Sequence, residues 1–369
     1  MIHLFKVFMA PEVGPKVTEV LNSGYIGQGQ KVEDFESILK NRFGTQNLVT
    51  VNSCTSALHL ALHLIKELPG DEILSTPLTC FATNAAILAN NLKIKWVDVD
   101  PNNCNMCLED LENKISSNTK AIVVVHWGGY PVDLDRLKDI QDKCESLYGH
   151  RPPIIEDCAH AWGSEYKNKA IGTHGNFCAF SFQAIKHLTT GDGGVLICPN
   201  EEYNRKAKLL RWFGLDRESS ADFRCSQNIK DWGFKFHMND INATIGIHNY
   251  PYSDNLVLRH QQNSDFYDEA LKDVKGVTLL ERKPDRVSAA WIYTIRVENR
   301  DAFKAKMESL GIHVSQTHAR NDTYDCVKQF ACSLPKMEIL NKDMIAIPCG
   351  WWITDEDREY IVKAIKEGW

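Results

Sequence analysis

The sequence lacks both a long apolar run and an excess of positive charge. No stretch of about 18 or more apolar residues occurs among its 369 residues, so no membrane-spanning helix is expected. Its 42 Lys and Arg residues are outnumbered by 48 Asp and Glu residues, which gives a net charge of −6. A chain with this charge has no general attraction for nucleic acid or for an anionic membrane. Any phosphate-bearing ligand must therefore be held locally, by a few basic residues and backbone amides.

Two other signatures are missing, and each absence disfavours a class of protein. No GxGxxG motif follows an early strand, which disfavours a nucleotide-binding oxidoreductase. Cys104 and Cys107 form a CxxC motif, but no second pair follows at zinc-finger spacing, so a turn is a better interpretation than a metal site. The twelve cysteines are scattered, which predicts reduced thiols. The short apolar N-terminus lacks a cleavage site for export, and we predict a cytoplasmic protein.

Strand-like and helical patterns alternate over most of the chain. Strand-like runs occur at residues 48–51, 72–75, 94–99, 121–126, 153–156, 178–182 and 195–198. This alternation predicts an α/β fold with a mixed, mostly parallel sheet that is flanked by helices. Residues 249–254 are expected to break a helix, and a strand at 312–316 and a helix at 356–366 are expected in a smaller α+β domain. We therefore predict a large cofactor-binding domain, residues 1–248, and a smaller C-terminal domain, residues 249–369.

Three polar side chains follow apolar strands and suggest a cofactor chemistry. Asp157 ends one strand, Ser181 ends another, and Lys186 comes next, before the Gly-rich turn at residues 191–194. Because ligands of parallel sheets sit at the carboxyl ends of strands, these side chains are expected to meet. These three groups suit pyridoxal 5'-phosphate (PLP). The carboxylate would pair with its pyridinium nitrogen, the hydroxyl would bind its phosphate, and the amine would form a Schiff base with it.

Each of these features also has a plainer interpretation. Asp157 could form a structural pair with an arginine, since a buried carboxylate needs a cation. Lys186 could be a surface lysine, although it is the only lysine between Lys169 and Lys206 and burial would make it nucleophilic. The hydroxyl residues at 53–56 could simply cap the helix that begins there, although free amides at a helix start also bind anions. Their occurrence together favours the PLP interpretation.

Segments spread over nearly the whole chain match a known family in the same order. They are an N-terminal Gly-Val-Phe-Glu pattern, a helix start, a Glu-Asp-x-Ala-His tract, the lysine segment, a Gly-Phe-Lys-Phe-His-Met stretch and a C-terminal signature, at residues 23–36, 52–62, 156–163, 180–194, 232–240 and 347–357. These segments resemble the sugar-aminotransferase family named after its DegT, DnrJ, EryC1 and StrS members. The resemblance implies a PLP-dependent transaminase of fold type I.

The resemblance also implies roles for the residues around the cofactor ring. Lys186 would be the Schiff-base lysine and would shuttle protons. Asp157 would pair with the ring nitrogen, and His160 would lie near the phenolic oxygen. Cys80 stands where many members carry an aromatic residue that stacks on the ring, so either stacking is weaker here or Phe81 replaces it.

A second set of residues would hold the cofactor phosphate. The resemblance assigns this task to Thr55, Ser56 and Ser181. Lys235 stands where the family often has Asn, and it would contact the phosphate bound by the neighbouring subunit. The resemblance therefore implies a homodimer with shared active sites. His237 replaces a common Arg, which leaves the role of that position open.

The reaction that the resemblance implies moves an amino group from L-glutamate to a nucleotide-linked keto sugar, in amino-sugar or surface-polysaccharide biosynthesis. The most frequent acceptor in the family is a 4-keto-6-deoxy hexose on UDP, GDP or dTDP. Tyr25, His318 and Arg320 are predicted to line the acceptor pocket, because they fall on or near segments that the family uses for acceptors. Two alternatives are a sugar dehydratase of the same family, in which His replaces the lysine, and a non-catalytic regulatory protein. The presence of Lys186 favours transamination.

Overall fold

The computed structural model describes residues 1–219 and 222–369. In chain order the strands are β1 (Leu48–Val51), β2 (Glu72–Ser75), β3 (Lys93–Trp96), β4 (Thr119–Val125), β5 (Ile154–Asp157), β6 (Glu165–Tyr166), β7 (Lys169–Ala170), β8 (Phe177–Ser181), β9 (Gly194–Ile197), β10 (Val277–Leu279), β11 (Arg286–Val287), β12 (Tyr293–Val297) and β13 (Met344–Ile347). The helices are α1 (Val13–Ser23), α2 (Gln30–Phe43), α3 (Cys54–Leu64), α4 (Phe81–Ala89), α5 (Leu108–Lys114), α6 (Leu134–Tyr148), α7 (Glu201–Leu210), α8 (Phe223–Ser226), α9 (Asp240–Leu271), α10 (Arg300–Ser309), α11 (Pro335–Asp343) and α12 (Asp355–Lys366). Short 3₁₀ helices occur at Trp127–Gly129, Asn321–Thr323 and Asp325–Phe330.

The central sheet has the strand order β1-β9-β8-β5-β4-β2-β3. Its neighbouring strands are parallel except at β9, which is antiparallel to both β1 and β8. Helices cover both faces, so successive residues of one strand enter different apolar cores. In β4, for example, Ala121 and Val123 belong to one core and Ile122 and Val124 to the other. The predicted α/β fold with a mixed, mostly parallel sheet is confirmed.

Two small sheets accompany the central one. Strands β10, β12 and β13 form an antiparallel sheet, and strands β11, β6 and β7 form another. A third apolar core lies between the first of these sheets and helices α9, α10 and α12, with Tyr267, Phe303 and Ile361 among its buried residues. No helix within the two described ranges combines the length and apolar character that a membrane crossing requires.

Helix α9 corrects the predicted break at residues 249–254. It runs without interruption from Asp240 to Leu271, with Pro251 inside it. Proline removes one backbone donor from a helix, but packing can compensate for that loss. Here Asn249 is buried and bonds to the backbone of both Ala10 and Thr189, which holds this part of the helix against its surroundings. The division of the chain between residues 248 and 249 falls inside this helix, and it stays a prediction.

The strand predicted at residues 312–316 is also absent from the structure. The segment makes only isolated bridges, from Ile312 to Ile2 and from Ser315 to Ala346. The two partners lie in different parts of the chain, the N-terminal segment and β13. A short apolar run therefore forms single pairs with two neighbours rather than a continuous ladder with one.

Among the contacts that join the C-terminal part of the chain to the segments that follow the central strands, two involve residues just after β3 and β4. The buried Asp98 carboxylate accepts backbone hydrogen bonds from Lys336 and Met337, and so caps the start of α11. At the second contact, Trp291 donates its backbone N–H to the carbonyl of Gly128, with an N–O distance of 2.9 Å. Gly128 has a φ of 60°, and an added Cβ there would lie 3.1 Å from the Ile292 carbonyl. Glycine is therefore required for this close approach.

Candidate active site

The predicted site residues meet because of the strand register at one edge of the central sheet. Asp157 at the end of β5 pairs with Ala179 on β8, and Ser181 ends β8 two residues later. Ser181 in turn pairs with Gly194 on β9, and Gly194 pairs with Val51 on β1. The ends of β5, β8 and β1 therefore lie at the same edge of the sheet, where ligands of such sheets bind.

Asp157 is a buried carboxylate without a cation beside it. Its Oδ2 accepts a hydrogen bond from the Thr83 hydroxyl at 2.7 Å, and its Oδ1 accepts one from the Ala159 amide at 3.0 Å. Burial raises the pKa of this carboxyl above its ordinary value, although both hydrogen bonds and the charge of Lys186 oppose the shift. No described residue forms an ion pair with it, so the alternative of a structural Asp–Arg pair is excluded for this part of the chain. Asp157 can accept a cationic ligand.

Lys186 lies in the same partly buried space. Burial lowers the pKa of its amine to about 8, and Asp157 and the thiols of Cys54 and Cys80 act in the opposite direction. A larger fraction of this amine is therefore neutral near pH 7 than for a surface lysine. The Nζ atom lies 3.5 Å from the centre of the Trp291 ring. The lowered pKa agrees with the expectation that burial activates this lysine.

The start of α3 forms a site that can bind an anion, as helix N-termini commonly do. Ser53 is the N-cap residue and accepts the backbone N–H of Ser56 at 3.1 Å, while the Ser56 hydroxyl donates to Asn52 Oδ1 at 2.6 Å. Thr55 is exposed in the first helical turn. Backbone N–H groups without helical acceptors and the positive end of the helix dipole attract a phosphate there.

A glycine brings this helix start close to Ser181. A Cβ added at Gly194 would lie 2.7 Å from the Cys54 nitrogen and 2.8 Å from the Phe180 carbonyl oxygen. Only glycine at this position allows β9 to pass so close to the first turn of α3. The Ser181 hydroxyl, which accepts the Gln183 N–H at 3.3 Å, thus lies on the strand beside the anion site. The structure brings Thr55, Ser56 and Ser181 to one corner of the site.

His160 is held as a neutral ring with a defined tautomer. Its Nδ1 accepts the Gly128 N–H at 3.3 Å, so the ring proton of the neutral form is on Nε2. Burial, Lys186 and His318 lower its pKa well below the ordinary value. The ring stacks on Trp291, with centroids 3.9 Å apart and an interplanar angle of 15°. His160 can therefore donate a hydrogen bond from Nε2 to an oxygen acceptor.

Cys80 is exposed at the N-cap position of α4 and belongs to the electrostatic surroundings of Lys186. The neighbouring Phe81 packs edge-on against Tyr324, with ring centroids 5.1 Å apart. Phe81 is therefore already in contact with another aromatic ring on the C-terminal side of the chain. Which residue covers the ring face of the cofactor stays a prediction.

Lys235 lies beside the anion site of its own chain. Its backbone oxygen accepts a hydrogen bond from Asn52 Nδ2 at 3.3 Å, and its side chain is exposed, with Nζ 6.0 Å from the Trp212 ring centre. The neighbouring His237 packs against Trp212 with centroids 4.0 Å apart and the rings tilted by 36°, and burial and the charge of Lys235 lower its pKa to about 4. The predicted contact of Lys235 with a partner subunit's phosphate stays a prediction.

The three residues predicted to bind the acceptor lie in different places. His318 lies parallel to His160, with ring centroids 5.9 Å apart, and burial and Lys186 lower its pKa to about 4. Arg320 is engaged by Asp322, with an Nη2–Oδ2 distance of 2.6 Å. Tyr25 is 84% exposed and lies in a surface groove beside α1, α2 and the start of α9. Within one chain, the structure therefore places His318 at the site and Tyr25 away from it.

Two residues of the site were missed by the sequence analysis. Thr83 lies in the first turn of α4 and donates its hydroxyl to Asp157, and its own partner Thr79 lies just before that helix. Trp291 contacts both Lys186 and His160, and nothing in the residues around it indicated these contacts. A contact between residues 105 positions apart leaves no local pattern.

The side chains of the site fit PLP in the chemistry of their donors and acceptors. An uncompensated carboxylate suits the protonated ring nitrogen, and an imidazole Nε2–H suits the phenolic oxygen. The start of α3 suits the phosphate, and the partly buried amine of Lys186 suits the aldehyde.

Comparisons with known proteins point to the same chemistry. The model of the DegT/DnrJ/EryC1/StrS aminotransferase family matches residues 9–366. Two solved structures are similar over the full chain: AtS13 from Actinomadura melliaura, with a TM-score of 0.98, 49% identity and 99% of that chain covered, and the sugar aminotransferase CalS13 from Micromonospora echinospora, with a TM-score of 0.97, 44% identity and 100% covered. The spore coat polysaccharide biosynthesis protein SpsC of Bacillus subtilis is 29% identical over 98% of this chain and 97% of its own length.

Proposed function

The chain belongs to the DegT/DnrJ/EryC1/StrS aminotransferase family, and from that premise we propose that it transfers an amino group from L-glutamate to a keto sugar linked to a nucleotide. Pyridoxal phosphate is the cofactor. One observation carries the proposal: Lys186, with a pKa lowered to about 8, and Asp157, a buried carboxylate that forms no ion pair with a described residue, lie near each other at the sheet edge.

Each side chain of the site has its own role in the proposed reaction. Bound PLP supplies an aldehyde for amines and a ring that accepts electrons from the carbon being deprotonated. Asp157 holds the proton on the ring nitrogen, and Thr83 and Ala159 orient its two oxygens. Lys186 takes a proton from the α-carbon of the donor and later returns one, because its lowered pKa lies near neutral pH.

The remaining residues bind and orient. His160 donates its Nε2–H to the phenolic oxygen, and the fixed tautomer keeps that donor in place. Thr55, Ser56 and Ser181 hold the phosphate at the start of α3. We assign the remaining phosphate contact to Lys235 of a second copy, so that the active enzyme is a homodimer.

The acceptor in this proposal is a 4-keto-6-deoxy hexose on UDP, GDP or dTDP. The similarity to CalS13, a sugar aminotransferase, supports a sugar as the acceptor. The similarity to SpsC supports a product destined for a polysaccharide. His318 lies beside His160 and is assigned to the sugar end of the site. Tyr25, which is exposed, and Arg320, which is held by Asp322, are assigned to the acceptor pocket as well.

A dehydratase of the same family is the second candidate, and the structure offers a specific argument against it. Such enzymes carry a histidine in place of the lysine. Here that position holds Lys186, and the next residue in the sequence, His187, is buried and packs edge-on against His260 with ring centroids 4.4 Å apart. His187 therefore does not take the place of the lysine.

A colour test and a product test examine the proposal. Purified protein with PLP should absorb in the visible, and Lys186→Ala should abolish that absorbance, whereas the exposed Lys206→Ala should not. With L-glutamate and a panel of keto-sugar nucleotides, the wild type should form 2-oxoglutarate and an aminated sugar, identified by mass and NMR. A protein that stays colourless with PLP refutes the cofactor site, and a coloured protein that aminates none of the sugars refutes the acceptor.

A further inference from the structure

Trp291 contacts the amine of Lys186 from the C-terminal part of the chain. The indole is 3% exposed, and Lys186 Nζ lies 3.5 Å from its ring centre. Phe5 of the N-terminal segment stacks on the same indole, with centroids 5.2 Å apart. Within the described residues Lys186 Nζ makes neither a hydrogen bond nor an ion pair. The aromatic ring is thus the partner of this amine.

The same indole is fixed by three further contacts. Its Nε1–H donates to the carbonyl of Ile185, the residue before Lys186, at 3.0 Å. Its backbone N–H donates to Gly128, whose own N–H binds His160 Nδ1. The His160 ring stacks on it at 3.9 Å. Trp291 is therefore tied to the backbone of the lysine segment and to the histidine of the site, and it cannot rotate away without breaking both.

The contact between the Lys186 ammonium and the Trp291 ring is energetically favourable. A cation over the face of Trp is attracted by the ring, and the attraction grows when water is excluded. Burial opposes the charged form of Lys186, so a ring that favours the ammonium compensates part of that cost. We propose that Trp291 is a positioning residue, which holds the Lys186 amine whenever it is free and keeps it beside the reacting carbon.

The catalytic consequence rests on the proposed function. In both half-reactions of a transamination the Lys186 amine would be free while it transfers protons, and it must then act from a fixed place as acid and base. Without the ring, the freed side chain has many rotamers, and few of them point at the carbon. Loss of the ring should therefore lower kcat and leave KM for the donor nearly unchanged.

The first test uses the cofactor-free full chain. Lysines are reductively methylated with ¹³C-formaldehyde, and the Lys186 signal is assigned by its absence in Lys186→Arg. Its methyl protons should be shifted upfield of the other lysines by the ring current of Trp291. Trp291→Leu should return the signal to the position of ordinary lysines, and Trp291→Phe, which keeps a ring but loses the N–H, should give an intermediate shift.

A matched control separates this effect from the loss of any buried tryptophan. Trp162 is 4% exposed and carries the guanidinium of Arg42 at 4.7 Å from its ring centre. Trp162→Leu should leave the Lys186 signal upfield. An unchanged Lys186 signal in Trp291→Leu, or an equal loss in Trp162→Leu, overturns the proposal. If Trp291→Leu does not fold, the comparison between wild type and Trp291→Phe decides it.

The second test uses the PLP-loaded enzyme. Trp291→Leu should lower kcat about tenfold, with KM for L-glutamate within about threefold, since one favourable contact of the lysine is lost. Trp291→Phe should recover part of the rate. The role of Trp291 and the proposed function can be refuted independently. A protein that binds no PLP would refute the proposed function but leave the NMR result unaffected. An active transaminase without the upfield signal would refute only the role of Trp291.

Discussion

Two buried carboxylates stand side by side on β5, and their surroundings differ. Glu156 and Asp157 are successive residues, so their side chains point to opposite faces of the sheet. Glu156 is bound to His126 Nε2 at 2.8 Å and accepts a hydrogen bond from Asn176 Nδ2 at 2.7 Å. Burial alone would raise the pKa of Glu156, but His126 and Asn176 outweigh it and lower the pKa.

Asp157 is equally hidden but has weaker partners. The Thr83 hydroxyl and the Ala159 amide donate hydrogen bonds to it. The effect of burial on its pKa is larger than that of these hydrogen bonds, so the pKa is raised. A carboxylate whose partners are all supplied by the chain stabilises the fold. A buried carboxylate that lacks a counter-charge destabilises the fold when no cationic ligand is bound. This unfavourable free energy indicates that Asp157 belongs to a ligand site.

The largest expected effect separates the two carboxylates by activity. Asp157→Asn should lower kcat by about a hundredfold to a thousandfold, because the ring nitrogen loses the charge that keeps it protonated. Glu156→Gln should leave the kcat of the folded enzyme within about threefold. Steady-state kinetics on PLP-loaded protein measure both. Equal losses in the two variants would contradict the division of roles.

Stability of the cofactor-free chain should show the reverse order. Glu156→Gln replaces a buried carboxylate that accepts hydrogen bonds from His126 and Asn176, and should lower the free energy of unfolding by about 2 kcal/mol. Asp157→Asn should raise that free energy, because it removes an uncompensated buried charge. Urea unfolding at pH 7 compares the two variants with the wild type. A destabilised Asp157→Asn chain would show that Asp157 is satisfied without a ligand.

The pH dependence of unfolding should also run in opposite directions for the two groups. The folded pKa of Glu156 is lowered, so its contribution is present above its unfolded value and is lost as the pH falls through the folded pKa. The folded pKa of Asp157 is raised, so its contribution is present at low pH and is lost as the pH rises through the folded pKa. Urea titrations between pH 3 and pH 7 should therefore show a shallower acid loss in Glu156→Gln.

A smaller effect is expected from the neighbours that hold each carboxylate. Thr83→Val keeps the shape of the side chain but removes the hydroxyl on Asp157, and kcat should fall about tenfold. Asn176→Ala removes a donor to Glu156 and should cost about 1 kcal/mol of stability with little change in kcat. Kinetics and urea unfolding on both variants test the pairing. A Thr83→Val enzyme with wild-type kcat would show that the hydroxyl does not orient Asp157.

The smallest effect concerns the amine of Lys186. In the cofactor-free chain, its modification by a small aldehyde and borohydride should rise with pH around a midpoint of about 8, since only the neutral amine reacts. Asp157 stabilises the charged form, so Asp157→Asn should lower that midpoint by less than about one pH unit. Glu156→Gln should leave the midpoint in place. A midpoint near that of the exposed Lys206 would refute the burial of the amine.

The anion site shows how far local sequence signals reach. Small hydroxyl residues between a strand and a helix predicted the capped start of α3, because capping depends only on residues three or four positions apart. The Gly-rich turn after Lys186 was recognised from the sequence, but the need for Gly194 was not. That need arises from the passage of β9 beside α3, a contact between segments about 140 positions apart.

The prediction of a break at residues 249–254, which the structure does not have, failed for the same reason. Residues 249–254 carry the local signals of a helix end, with a proline among polar residues, and those signals are correct for an isolated peptide. In the folded chain Asn249 bonds to the backbone at Ala10 and Thr189, and these contacts outweigh the lost helical hydrogen bond.

By itself, the sequence determined the alternation of strands and helices, the Asp157, Ser181 and Lys186 order and the match to the family's segments, because each depends on short-range periodicity or on residue types at fixed spacing. Only the tertiary structure decided that Asp157 is buried without a cation, whereas Glu156 is paired. It also decided that Thr83 and Trp291 reach Asp157 and Lys186. Partners, burial and the pKa shifts that follow depend on which distant segments pack together, and that information is spread over the whole chain.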